Sequence, residues 1–286
     1  MAIKIVTDST SYIPQNTLKA LDISLVSLSV VFEETSYLET ELDLSMFYGK
    51  LSKLDKLPTS SQPSTEDMYN TFKKHIMNGN SVVGIFLSSE MSGTFSTSQL
   101  VKGMILEEFP DAIIELIDSR TNCMEMGFVA IAAAKAAIDD QPMNDVLQIA
   151  RKTMNCTRFI FAPSTLEFLK KGGRIGNASS LLADILKIKP VLTVKEGFTT
   201  TLAKIRTQKK ALDYMLQVFS DDIKEYGYGN VIVHHIHCPN EANEFSKDVA
   251  ELIGSAPEII SIGAVIGTHV GPGTLGIAYC TREPMR

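Results

Sequence analysis

Val82-Val83-Gly84-Ile85-Phe86-Leu87-Ser88-Ser89-Glu90-Met91-Ser92-Gly93-Thr94 is the stretch that decides the fold. Its first six residues form an apolar, largely β-branched or aromatic run that reads as a strand. Ser88 and Ser89 end that run, and Ser92-Gly93-Thr94 opens a helix. A strand handing over to a helix through a short hydroxyl-rich turn is one half of a parallel crossover unit. The same alternation continues on both sides. Downstream, the spacing predicts a strand over 113–117 and a long helix through 130–138. Upstream, it predicts a strand over 3–6, a helix over 14–21 with proline in its first turn, and an apolar run over 23–32. It also gives an amphipathic helix over 44–54 capped by Asp43. Residues 57–64 are too rich in hydroxyls and proline for either element and read as a loop. A helix follows it, with Ser64 and Thr65 as caps and Glu66 and Asp67 suited to the positive end of its dipole. Alternation of this kind argues for a parallel sheet covered by helices.

The second half has a different texture. Residues 189–194 and 200–205 flank Glu196-Gly197 as an antiparallel hairpin would. A helix over 209–224, a strand over 231–237, a helix over 240–253 and two last strands near 259–265 and 276–280 point to a mixed sheet with helices on one face. The expected fold is therefore α/β with two domains, 1–160 carrying the parallel sheet and 161–286 the mixed one. At 286 residues, with 44% hydrophobic and 21% charged side chains, the chain is long enough to build both cores.

Charge and leader signals narrow the function. A net charge of −6 offers no broad positive field for a phosphate backbone, so no nucleic-acid partner is expected. Met1-Ala2-Ile3-Lys4-Ile5-Val6 enters a strand directly, without the regions of a signal peptide, and the most apolar helical stretch, 128–138, is too short to span a bilayer. A cytoplasmic protein without stable membrane insertion is the expectation. Cys123, Cys156, Cys238 and Cys280 form no C-x-x-C pair, so neither a zinc ribbon nor a redox dithiol is signalled.

Several polar segments carry possible chemistry. Three strands end in Thr7-Asp8-Ser9-Thr10, Ser88-Ser89 and Asp118-Ser119, a rim where ligands of open α/β sheets bind. Ser92-Gly93-Thr94 serves either as a helix cap alone or as a set of free amides facing an anion such as a carboxylate. Ser60 and Ser61 fit a plain turn or a carboxylate contact. Gly172-Gly173-Arg174 reads as a helix C-cap in which glycine supplies φ > 0, leaving Arg174 for a surface charge or an anionic group. His269 precedes Gly271-Pro272-Gly273, a loop that lets backbone approach a ligand closely, although a histidine satisfied by backbone fits as well. His235 and His237 share a strand face, but no third ligand stands at a suitable spacing and no metal is expected.

Taken together, four ordered segments resemble the DegV family, known also as the binding subunits of bacterial fatty acid kinase. Ser60-Ser61-Gln62-Pro63-Ser64 is similar to its T-S-Q-P-S loop, and Ser88-Ser89-Glu90-Met91-Ser92-Gly93-Thr94 to its S-S-x-x-S-G-T turn. Residues 166–176 resemble its L-E-Y-L-K-K-G-G-R-I-G segment, and residues 269–276 its H-x-G-P-G-x-x-G ending. Ser60 departs from the pattern by replacing threonine, which keeps the hydroxyl and removes a methyl group.

The resemblance implies a two-domain carrier, not an enzyme, holding one long-chain fatty acid and needing no other cofactor. It implies that Ser60, Ser61, Ser92, Gly93, Thr94 and His269 hold the carboxyl group. Arg206, in Lys204-Ile205-Arg206-Thr207, either faces the same cleft or is a solvated surface charge. Arg174 with Lys170 and Lys171 would dock a fatty acid kinase catalytic subunit that phosphorylates the carboxyl group. A monomer is expected. Phe95, Met91, Leu166, Ile185, Leu192 and Ile266 are candidates for the tail pocket or for plain core. The alternative is a serine hydrolase with Ser92 as nucleophile and His269 as base, against which stand the missing G-x-S-x-G elbow and the lack of an orienting carboxylate. A nucleotide-binding enzyme is disfavoured because G-x-x-x-x-G-K-[ST] does not occur, and Gly271-Pro272-Gly273, although glycine-spaced as G-x-G-x-x-G through Gly276, sits late in the chain and leads into a strand where a phosphate loop should open a helix.

Overall fold

The structure is a computed structural model that describes residues 2–32, 35–51, 56–184 and 188–285, without the side chains of 182–184. The first module runs β1 (Ile3–Asp8), α1 (Gln15–Ala20), β2 (Ser24–Val26), β3 (Ser29–Phe32), β4 (Thr35–Leu38), α2 (Leu44–Leu51) and β5 (Thr59–Ser61). It continues with α3 (Thr65–Met77), β6 (Ser81–Phe86), α4 (Thr94–Glu108), β7 (Ile114–Asp118), α5 (Cys123–Ile138) and α6 (Met143–Cys156). The second runs β8 (Thr157–Ala162), α7 (Glu167–Lys171), a 3₁₀ segment (Gly176–Asp184), β9 (Lys189–Lys195), β10 (Phe198–Ile205) and α8 (Gln208–Tyr226). It ends with β11 (Tyr228–Ile236), α9 (Pro239–Ile253), β12 (Glu258–Ser261), α10 (Ala264–Val270) and β13 (Thr274–Thr281).

Among the described residues the strands form three sheets. The first, in the order β2-β1-β6-β7, is parallel throughout. Its central strand β6 is buried on both faces because strand side chains alternate. Val82 and Phe86 pack with Met68, Phe72, Val101 and Ile105, while Val83 and Ile85 face the interior that holds α5. The second sheet, in the order β10-β9-β8-β13-β11-β12, is antiparallel except where β11 meets β12. Parallel and mixed sheets thus stand where the sequence places them. The boundary expected at 160 falls inside β8, the whole of which pairs with β13. Phe159 and Phe161 turn to the interior shared with the first module, and Ile160 and Ala162 to the far face under α8 and α9.

Helix α5 joins the two modules. Small residues at Ala130, Ala133, Ala134 and Ala136 let it lie buried against β1 and β6 on one side and β8 and β13 on the other. Helices therefore cover both faces of the second sheet, where one face was expected.

Other expectations shift for identifiable reasons. The strand expected near 259–265 ends at Ser261, and residues 264–270 form α10 instead. Their β-branched residues favour a strand locally, but a cap and a close approach from the first module hold a helix. Residues 59–61, expected in a loop, pair with β3 as a short strand. Helix α6 lay outside the reading although Val146, Leu147 and Ala150 carry helical spacing on its buried face. The caps at Ser64 and Asp43 form as expected, accepting from Asp67 N at 3.0 Å and Met46 N at 2.9 Å.

Candidate functional site

The rim of the parallel sheet holds itself together before it holds anything else. Asp8 accepts from Thr10 N and Leu87 N, both at 2.9 Å, and so ties the ends of β1 and β6. Asp118 accepts from Ser89 Oγ at 2.6 Å and Arg120 N at 2.9 Å. Ser88 donates to Gly197 O at 2.9 Å, seating the β9–β10 turn on this rim. Most of the polar side chains at these strand ends bond within the rim itself.

Just beyond them lies a narrow cavity between the first module and the second. Most of its wall is apolar. Leu28, Leu87 and Met91 come from the first module; Phe159, Phe161, Leu169, Val194, Val265, Ile266 and Val270 come from the second. The polar part of the lining comprises Ser60, Ser92, Asn122, Arg174, Thr199 and His269. An apolar chamber with a few convergent polar groups can hold an amphiphile with a small anionic head.

Each expected site residue has a definite place. His269 sits in the last turn of α10, 8% exposed, and its Nε2 lies 2.7 Å from Ser60 Oγ. Burial first, and the nearby Arg174 guanidinium second, push its imidazole down to about 4, while the Gly172 backbone acts in the opposite direction. That backbone contact lacks hydrogen-bond geometry, so Nδ1 is left buried without a partner. Gly172 is required for space, since a Cβ there would stand 2.4 Å from His269 Nδ1. The left-handed cap position belongs to Gly173, at φ 70.

Ser92 lines the cavity, and its Oγ lies 2.9 Å from Thr94 Oγ1. Thr94 is fully buried and outside the lining set. Gly93 is the residue before α4, and the end of the Gln62 side chain lies against it. A Cβ there would stand 2.2 Å from Gln62 Oε1, and Gln62 Nε2 donates to Thr97 Oγ1 at 2.8 Å. Ser61 is exposed and donates to Gln62 O at 3.2 Å, because alternation along β5 points it away from Ser60.

Arg174, read from the sequence as a docking residue, forms part of the cavity wall. It donates from Nε to Met91 O at 3.2 Å and from Nη1 to Gly172 O at 2.8 Å, and so bridges the two modules. Lys170 and Lys171 are exposed on α7, Lys171 pairing with Glu167 at 2.6 Å. Arg206 is exposed just after β10 and lies outside the lining set. Of the apolar candidates, Met91 and Ile266 line the cavity. Leu166 and Leu192 are core, and Phe95 packs beside the outer helices of the first sheet. Ile185 lies outside the described residues. Phe159, Phe161 and Val194 escaped the reading because an inward strand residue gives no sign of whether it meets a neighbour or a cavity. His234 is fully buried between Met124 N and Ile260 O. The described residues contain no group of three or more potential metal ligands.

Among the described residues, the pairing that a hydrolase would need does not form. His269 engages Ser60, Ser92 engages Thr94, and no carboxylate reaches Nδ1.

Comparisons with known proteins bear on the family and the fold. The family described as "Uncharacterised protein, DegV family" matches residues 2–282. A DegV domain-containing protein of Clostridium acetobutylicum is 44% identical over 286 residues, covering 100% of both chains. The crystal structure of DegV, a fatty acid binding protein from Bacillus subtilis, superposes with a TM-score of 0.88 at 31% identity, over 98% of this chain and 99% of that one. A stearic acid-binding protein from Eubacterium ventriosum superposes with a TM-score of 0.90 at 27% identity, over 98% of each chain. With motifs, fold and sequence in agreement over the length of the chain, this protein belongs to the DegV family.

Proposed function

We propose that this chain binds one long-chain fatty acid, its tail in the apolar cavity and its carboxyl group among Ser60, Ser92 and His269. The observation that carries the reading is the cavity itself, an apolar chamber between two modules whose polar lining gathers those residues with Arg174. Energetics fit a carrier. Each buried methylene contributes ~0.8 kcal/mol, so a long tail supplies on the order of 10 kcal/mol before ordering costs. A hydrogen bond to a charged carboxylate adds about 1.5–3 kcal/mol. The tail sets affinity, and the polar groups set orientation.

A neutral imidazole at the carboxyl end also suits a head group that brings its own charge. A carboxylate entering beside His269 favours the protonated ring and offsets the burial and the Arg174 charge that hold it neutral. The finer part of the proposal is that the protein works as a cytoplasmic monomer without catalysis of its own. It presents the bound carboxyl group to a fatty acid kinase that converts it to an acyl phosphate. The exposed Lys170 and Lys171, next to the Gly172-Gly173-Arg174 turn, supply rim charge for an acidic partner.

The test begins with solvent extraction and mass spectrometry of the purified protein, followed by calorimetry with added fatty acid. A retained or titratable long-chain acid is expected; failure to find either overturns the reading. Ser92→Ala and His269→Ala are then compared for affinity and for kinase-dependent acyl phosphate formation. Each removes about one hydrogen bond, ~1–3 kcal/mol, so tenfold to about a hundredfold weaker binding is expected. Phosphorylation at saturating lipid should fall further, because a displacement of about 1 Å can cost on the order of a hundredfold in rate. Unchanged phosphorylation at saturation would show that the two residues only retain the ligand.

A further inference from the structure

Asn122 stands immediately before α5, where an asparagine ordinarily accepts a hydrogen bond from an amide two or three residues on. Its side chain makes no such bond. One of those amides, Met124 N, donates to His234 Nε2 at 3.3 Å instead, and the Asn122 side chain turns to the cavity wall. There Nδ2 meets Met91 Sδ at 3.1 Å, and sulfur is a weak acceptor. Oδ1, on a residue only 6% exposed, has no partner. Turning the amide end for end would set oxygen against sulfur and leave N–H groups unmatched. In either orientation a residue of the cavity wall keeps an unpaired buried polar group, in a lining that is otherwise mostly apolar. Capping does not explain Asn122, and neither does packing, since an apolar residue of the same size would avoid burying an unmatched amide.

We propose that Asn122 is a specificity-determining residue that selects a long-chain fatty acid bearing a hydroxyl group on its acyl chain. The inference rests on the fatty-acid reading above and deepens it. A hydroxyl both donates and accepts, so it matches either end of the amide. A plain polymethylene chain matches neither and leaves the amide buried without a bond. A pocket built to hydrogen-bond a ligand group discriminates against the analogue that lacks it.

The experiment is competition calorimetry on delipidated full-length protein, with stearic acid and a series of monohydroxystearic acids in which the hydroxyl position is varied. Wild type is compared with Asn122→Leu and Asn122→Ala, the alanine variant carrying the comparison if leucine disturbs folding. The quantity read is the ratio of hydroxy-acid to stearic-acid affinity within each protein, in which a general loss of packing cancels. At least one hydroxy isomer is expected to bind wild type as tightly as stearic acid or more so. Its ratio should fall about fivefold or more in the variants, the size of one buried hydrogen bond. Ratios that stay the same in all three proteins overturn the assignment while the fatty-acid reading stands. If wild type binds neither stearic acid nor any hydroxy acid, both fall.

Discussion

Ser60 and Ser61 are neighbours in sequence and face opposite ways in the structure, one 2.7 Å from the His269 ring and the other exposed. The motif sets two hydroxyls side by side, and only the alternation of β5 decides which one lines the cavity. Arg174 shows the complementary case. Its charge and its place after two glycines are legible in the sequence; that the side chain folds back onto Met91 and faces His269 is not. This proximity makes a testable claim, since a guanidinium beside an imidazole disfavours the imidazolium. Arg174→Ala is therefore expected to raise the pKa of His269 in the empty protein from its depressed value of about 4 toward the ordinary 6.5. A titration of the imidazole by NMR measures it, and an unmoved pKa would place Arg174 outside the electrostatics of the site. Loss of lipid in that variant with kinase affinity intact would likewise remove Arg174 from the docking surface.

Helix α10 is the element on which the site turns, and the one whose local sequence misleads. Val265, Ile266, Thr268 and Val270 favour a strand by propensity. Three contacts from the first module oppose that preference. Glu39 accepts from Val265 N at 2.9 Å, serving as a cap supplied from far along the chain. Tyr48 donates its hydroxyl toward Ile262 O at 2.9 Å and Gly263 O at 2.8 Å. Gly267 lets the Tyr48 ring lie directly on the helix, where a Cβ would stand 1.9 Å from its oxygen. Gly267→Ala is therefore expected to destabilise the protein by about 1–3 kcal/mol through overpacking. It should also displace His269 and weaken fatty-acid binding. Thermal melts and calorimetry on one preparation measure both effects, and an alanine variant with unchanged melting and affinity would contradict this docking geometry.

Across the whole molecule, the cavity and the titrating groups meet where the two modules are pressed together. Burial pushes the Glu39 carboxyl up to about 7 and the Asp8 carboxyl up to about 6, against hydrogen bonds that lower each. Burial also pushes His234 down to about 4, as it does His269. These groups pull stability in opposite directions in mild acid. For Glu39, the folded chain alone holds the proton between the ordinary 4.5 and about 7, so its contribution is lost as pH rises through that window. The histidines contribute stability above 6.5 that is lost as pH falls toward about 4. Glu39→Gln removes one side of this balance. Whatever its baseline cost, the stability of the variant relative to wild type is expected to rise between pH 4.5 and 7 and to level off above, by on the order of 3 kcal/mol. Denaturant melts across that range measure the difference; a difference that does not vary with pH would mean that Glu39 titrates alike in folded and unfolded chains.

Local chemistry by itself determined the strand and helix alternation, the parallel and mixed sheets, the caps at Asp43 and Ser64 and the 189–205 hairpin, whereas Ser60, Ser92 and His269 stood out only through the resemblance to a family. Each of those local features depends on periodicity, turn chemistry or capping, which act within a few residues and so are written in sequence order. Tertiary structure alone decided that α10 is a helix, that Ser61 and Arg206 stay outside the cavity while Arg174 enters its wall, and that Asn122 joins that wall with its oxygen unpaired. Those outcomes depend on contacts between residues as far apart as Glu39 and Val265. A pocket between two modules is the space left when both have packed, and no local pattern specifies that space.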